Sequence, residues 1–122
     1  MIIVDTSVWA DHFRLTIDEL AMLIGNDRVL QHPFVTGELA MGNPTDREAV
    51  IGTLDALPQA DVTGWAELLE FAGTQALGGT GIGYVDAHLL GSATQRDGIR
   101  LWTRDERLAD HARRLGVAYE PQ

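Results

Sequence analysis

Apolar positions along the chain follow two periods. Met1 to Val4 is an unbroken apolar run closed by Asp5, and Ile99 to Thr103 (IRLWT) repeats the arrangement after an Asp97-Gly98 turn. Both read as buried strands. Val29-Leu30, Val117 to Tyr119 and a brief segment at Val62 are shorter candidates. Helical spacing fills the intervals. Val8–Phe13 and Ile17–Ile24 predict two short helices, the second with Thr16 as N-cap and Gly25-Asn26-Asp27 as its stop. Phe34–Met41 predicts a third, ended by Gly42-Asn43-Pro44. Thr45-Asp46-Arg47-Glu48 has the form of a capping box ahead of Val50, Ile51, Leu54 and Leu57, and Pro58 ends that helix. Thr63 opens the best amphipathic pattern, with Trp65, Leu68, Leu69, Ala72 and Ala76 on one stripe. "GGTGIG" at 78–83 is a flexible joint before a helix from Tyr84 to Gln95. Leu108, Ala109, Ala112 and Leu115 mark the last helix, with Gly116 at C′. Strands separated by helices, without hairpin signals, predict an α/β fold with a parallel sheet of four to five strands between two helical layers.

Length and composition narrow the class. The 122 residues support one core, so 1–122 is read as a single domain. With 45% hydrophobic and 22% charged residues the balance is that of an ordinary globular protein. Cysteine is absent, so any metal chemistry falls to carboxylates and histidine. Asp5 and Asp11 interrupt what a secretory signal would need, and the longest uncharged segment, Phe71 to Val85, is too short to span a bilayer. The expectation is a soluble, cytoplasmic protein.

A net charge of −9 opposes nucleic-acid binding unless cations are gathered locally. They are partly gathered: residues 96–122 hold six of the nine basic residues against five acids, whereas residues 1–95 hold three against thirteen. All nine are arginine. The lack of lysine excludes a phosphoacceptor receiver domain and a haloacid-dehalogenase-like phosphatase, and Ser7 stands where the latter needs a second acid.

In a parallel α/β sheet the functional crevice lies beyond the C-terminal strand ends, where strand order reverses. Asp5 and Asp105 each follow a strand and so arrive at that edge. Glu38 borders the apolar stripe of its helix and Asp86 opens another. Four carboxylates brought together without lysine would repel one another unless hard divalent cations, magnesium or manganese, offset them. The competing reading is local: Asp5 and Asp105 as N-caps, Glu38 and Asp86 as solvated helix residues. Separations of 33, 48 and 19 residues do not decide between the two.

The segments "IIVDTSVW", "HPFVTGELAMG", "GIGYVDAHLLGSA" and "LWTRDERL" resemble, in order, the acidic motifs of PIN-domain ribonucleases, specifically the VapC toxins of bacterial toxin-antitoxin pairs. The resemblance runs from Met1 to about Tyr119. It implies a PIN-like α/β/α fold and a toxin that inhibits translation by cutting RNA, transfer or ribosomal, at a phosphodiester through water activated by Mg2+ or Mn2+, leaving a 5′-phosphate and a 3′-hydroxyl. Asp5, Glu38, Asp86 and Asp105 would be the catalytic, metal-holding acids, with Thr6, Ser7 and Thr103 in support. A VapB-type antitoxin is implied, docking in an apolar groove near Trp9, Phe13, Leu39 and Val50, as is a homodimer. Arg107 and His88 stand where some relatives carry further acids, which leaves room for one tightly held ion. A catalytically inactive PIN-fold binding module is the alternative.

Arg104, Arg107 and Arg100 are the candidates for substrate phosphate, against surface pairing with Asp97, Glu106 and Asp110; Arg113 and Arg114 are read as surface residues. His32 is read as structural, His12 and His111 as exposed, and His88 as packing first. The tryptophans are read as core or interface. "GGTGIG" lacks the setting of a nucleotide-binding loop.

Overall fold

The computed structural model describes residues 1–121. Its regular strands are β1 (Ile2–Val4), β2 (Val29–Leu30) and β3 (Arg100–Trp102), parallel and in the order β2-β1-β3. Ile2 aligns with Val29 and with Arg100, and Val4 with Trp102. A single parallel bridge extends each edge, Gln31 to Gln59 on one side and Leu101 to Ala118 on the other. The expected four to five strands are thus three regular ones and two one-bridge edges. The outer segments are short, one set between Pro58 and Asp61 and the other between Gly116 and Glu120-Pro121, which leaves no length for a longer ladder, and the segment that pairs is at Gln59, not Val62.

Among the described residues seven helices fill the connections: α1 (Thr6–Arg14), α2 (Asp18–Gly25), α3 (Pro33–Met41), α4 (Arg47–Asp55), α5 (Trp65–Thr74), α6 (Tyr84–Thr94) and α7 (Glu106–Arg114). The chain leaves β1 toward β2 and leaves β3 toward the Ala118 edge, so strand order reverses between β1 and β3. Right-handed crossovers running in opposite directions place their helices on opposite faces. The switch point faces the ends of Val4 and Trp102.

Burial follows the apolar runs. Ile2, Ile3, Val4, Leu101 and Trp102 are all buried, as strands covered on both faces require. Helix α6 is buried along Ala87–Ala93, His88 and Ser92 included, and packs on α5, α7 and β3. It is the central helix, which a stripe read from sequence did not distinguish.

Several local expectations are corrected. Thr16 does not cap α2; the N-cap is Ile17, whose N–H donates to His12 Nδ1 at 3.0 Å, so His12 is half-buried and engaged. Asp46, not Thr45, caps α4 by accepting from Ala49 N. Thr63 does not start α5, since its hydroxyl accepts from Gln95 Nε2 at 2.7 Å. On that helix only Leu68 is buried, while Trp65 and Leu69 are 65% and 51% exposed. Apolar spacing alone therefore overstated what α5 buries.

Candidate functional site

Asp5 is both a cap and a site residue, because its two oxygens do different work. Oδ1 accepts from Thr6 N at 2.8 Å and caps α1. Oδ2 accepts from Ser7 Oγ at 2.8 Å and from Thr103 Oγ1 at 2.7 Å. The two hydroxyls also receive: Arg104 N donates to Ser7 Oγ and Asp105 N to Thr103 Oγ1, each at 3.1 Å. This lattice ties the β1 and β3 exits into one unit. A buried carboxylate with three donors is satisfied without an adjacent cation.

The other acids are held more loosely. Glu38, on α3, accepts from Thr6 Oγ1 at 2.7 Å through Oε1. Asp105 caps α7, with Oδ1 accepting from Leu108 N at 3.1 Å. Asp86, in the first turn of α6, accepts from Gly83 N through Oδ2 at 3.3 Å. Among the described residues, Glu38 Oε2, Asp105 Oδ2 and Asp86 Oδ1 take no hydrogen bond. Each carboxylate therefore keeps one oxygen for an outside ligand.

Asp86 senses the others. Burial lifts its pKa above the ordinary 3.8, and the charges of Asp5, Asp105 and Glu38 add to the rise, against the Gly83 hydrogen bond. The four acids thus share a field that a cation would relieve. Among the described residues no three His, Asp or Glu side chains close on one point at ligating distance. The acids are near enough to feel one another without forming a preformed cage, and their donor set of free carboxylate oxygens suits a hard divalent ion.

The candidate cations separate. Arg104 pairs with Asp11 at 2.6 Å, not with Asp97, Glu106 or Asp110. Arg107 is exposed and lies over Gly81, where an added Cβ would sit 2.5 Å from its Nη1. Gly81 has φ +90°, so its conformation calls for glycine, while the Arg107 guanidinium above it is the movable end of a flexible side chain. Arg100 opens β3 level with Ile2 and donates to Ala118 O; that puts it at the opposite strand end from Asp5, apart from the acids. Arg113 pairs with Asp110 and Glu120, and Arg114 donates to Gln75, as surface residues.

Beside the acids lies a cleft of about 530 Å³, lined among others by Thr6, Phe13, Glu38, Leu39, Pro44 and Val50. Trp9 does not line it: that ring is buried and stacked behind Phe13, with centroids 5.5 Å apart. His32 is structural, its Nδ1 capping α3 by accepting from Phe34 N, and burial with the neighbouring His88 lowers its pKa to about 4. His88 is buried between Phe34 and Tyr84. Sequence reasoning missed Asp11, whose i, i+3 spacing to Arg14 was visible but whose partner Arg104 is 93 residues away. It also missed the exposed Trp65–Tyr84 pair, with rings 5.9 Å apart.

Over 118 residues the chain is 45% identical to "Ribonuclease VapC32" of Mycobacterium tuberculosis, in strains CDC 1551 and H37Rv alike, covering 97% of this chain and 95% of that protein. The chain belongs to the VapC family. In this VapC chain the two strand exits, α3 and α6 each carry one of the four acids described above. No protein-family profile matches it. The crystal structure of PAE2754 from Pyrobaculum aerophilum superposes with a TM-score of 0.60 at 17% identity, covering 91% of this chain and 78% of that one, which shows a shared fold.

Proposed function

We propose that this VapC chain is the toxin of a VapBC toxin-antitoxin pair, a cytoplasmic endoribonuclease that cuts transfer or ribosomal RNA with the help of Mg2+ or Mn2+. The observation that carries the reading is the set of carboxylates at the switch point, three of them with an oxygen to spare, and an Asp86 pKa raised by burial and, beyond that, by the other three charges. Asp5, Glu38, Asp86 and Asp105 would hold the ion, which lowers the pKa of water and offsets charge on the phosphate. Ser7 and Thr103 fix the Asp5 carboxylate, and Thr6 fixes Glu38. Arg104 and Arg107, neighbours of Asp105 in the chain, would meet substrate phosphate, while Arg100, at the other end of β3, would not.

The apolar cleft at Phe13, Leu39 and Val50 suits an amphipathic segment of a VapB-type antitoxin, whose continuation would reach Glu38. A homodimer within the toxin-antitoxin complex is part of the same reading. No described helix is long and apolar enough to cross a membrane. The test is incubation of purified, antitoxin-free protein with total bacterial RNA and Mg2+ or Mn2+, with EDTA and Asp5→Ala as controls. Discrete products bearing 5′-phosphates, absent from both controls, are expected. No cleavage with either ion by folded protein would sink the reading in favour of an inactive PIN-fold binding module.

A further inference from the structure

A crevice ringed by acids needs cations nearby to hold an anionic strand, and in a chain of charge −9 their location is informative. Arg14, the last residue of α1, and Arg104, in the loop after β3, converge on the single carboxylate of Asp11. Two guanidiniums on one carboxylate leave a net +1. Each Arg commits one nitrogen to Asp11, and among the described residues no other acceptor takes the remaining N–H groups. Both side chains are open to solvent, 78% exposed for Arg14 and 47% for Arg104. They border an open cleft of about 370 Å³ whose other walls are Leu15, Thr16 and Ile17, and Leu15 is 81% exposed.

This cleft adjoins the acids. Arg104 N donates to Ser7 Oγ, and Ser7 donates to Asp5, so one hydroxyl separates the Arg104 backbone from the buried carboxylate. We infer that the cleft of Asp11, Arg14, Leu15, Thr16, Ile17 and Arg104 is a phosphate subsite for the RNA strand outside the scissile bond. The inference rests on the ribonuclease reading and extends it to the path of the substrate. Guanidinium forks match phosphate oxygens, and the exposed Leu15 gives a ribose or base an apolar surface. Asp11 draws the two guanidiniums together and tempers their charge; it is a positioning residue.

Steady-state cleavage of total bacterial RNA, repeated between about 50 and 200 mM salt, tests the subsite. Arg14→Ala is expected to raise the apparent KM several-fold, with less effect on kcat. It should also flatten the plot of log(kcat/KM) against log salt by roughly 0.7 to 1. Asp11→Asn is expected to act in the opposite direction, with a lower KM and a steeper slope, whereas a merely structural Asp11 would give a higher KM. An Arg14→Ala variant with unchanged KM and slope overturns the subsite while leaving the ribonuclease reading intact. So does one that cleaves normally but loses binding to a polyglutamate peptide, which would assign the cleft to an acidic protein. Absence of cleavage by the unsubstituted protein sinks both.

Discussion

Thr103 shows how one side chain serves two elements. Its hydroxyl donates to Asp5 and accepts from Asp105 N, so losing it frees both the β1 exit and the first turn of α7. Orienting groups around a metal-holding carboxylate are worth about 10- to 100-fold in activity. Thr103→Val is expected to lose that much RNA cleavage and Thr103→Ser to recover most of it; normal cleavage by Thr103→Val with loss in Thr103→Ser would mean that the methyl, not the hydroxyl, matters. Asp86 makes a prediction of two signs. A raised carboxyl pKa means that the folded state binds its proton more tightly than the unfolded state, so the ion-free fold gains stability as pH falls from the raised value toward 3.8. Above that window Asp86 carries the repulsion of its neighbours. At neutral pH and without divalent ions, Asp86→Asn should therefore raise stability slightly, by less than about 1 kcal/mol for a half-exposed group, while abolishing cleavage. Urea denaturation in EDTA beside the cleavage assay reads both; a destabilised variant would reassign Asp86 to helix capping through Gly83.

At the scale of elements, the joint 78–83 and the start of α3 each carry a test. Gly81→Ala puts a methyl into the Arg107 guanidinium at positive φ and is expected to cost about 1–2 kcal/mol in urea denaturation. A neutral effect would show that the joint relaxes out of its positive φ as well as Arg107 swinging away. His32 caps α3 in its neutral form, buried, with a pKa lowered to about 4. The unfolded chain binds the proton first, so stability is full above about pH 6.5 and falls, by up to about 1.4 kcal/mol per unit, as pH drops toward 4. His32→Asn keeps a capping acceptor and should flatten that slope; an unchanged slope would place the acid sensitivity elsewhere. These elements also mark what could be read in sequence. Strand exits and the Pro33 boundary are legible because apolar runs and chain order fix them locally, whereas the acids at positions 5, 38, 86 and 105 stand out as a set only through the resemblance of their motifs, since spacing leaves caps and site equally open. Burial all around α6, the exposure of Trp65 and the Asp11–Arg104 pair are not legible, since each depends on which distant element packs alongside. The roles of Thr16 and Thr63 were misread for the same reason: His12 and Gln95 supply bonds that local propensity does not anticipate.

For the whole molecule the dominant quantity is the uneven charge. Residues 1–95 carry thirteen acids against three arginines, and the described ion pairs engage few of them: Asp11 with Arg14 and Arg104, and Asp61 with Arg96. Self-repulsion of that surface weakens the compact state, and salt screens it over roughly 8–10 Å at physiological strength. The arginines beside the crevice face the opposite requirement, because their attraction for a polyanion is what salt removes. Raising NaCl from about 50 to 500 mM is therefore expected to raise Tm by a few degrees and to lower kcat/KM for RNA over the same range. Thermal unfolding and cleavage assays on one preparation measure the pair. If stability fell with salt, the exposed pairs of Arg113 with Asp110 and Glu120 would outweigh the repulsion of the acidic majority. If cleavage were indifferent to salt, RNA would be held by bases and shape, and the exposed Trp65–Tyr84 rings would replace the guanidiniums as the place to look.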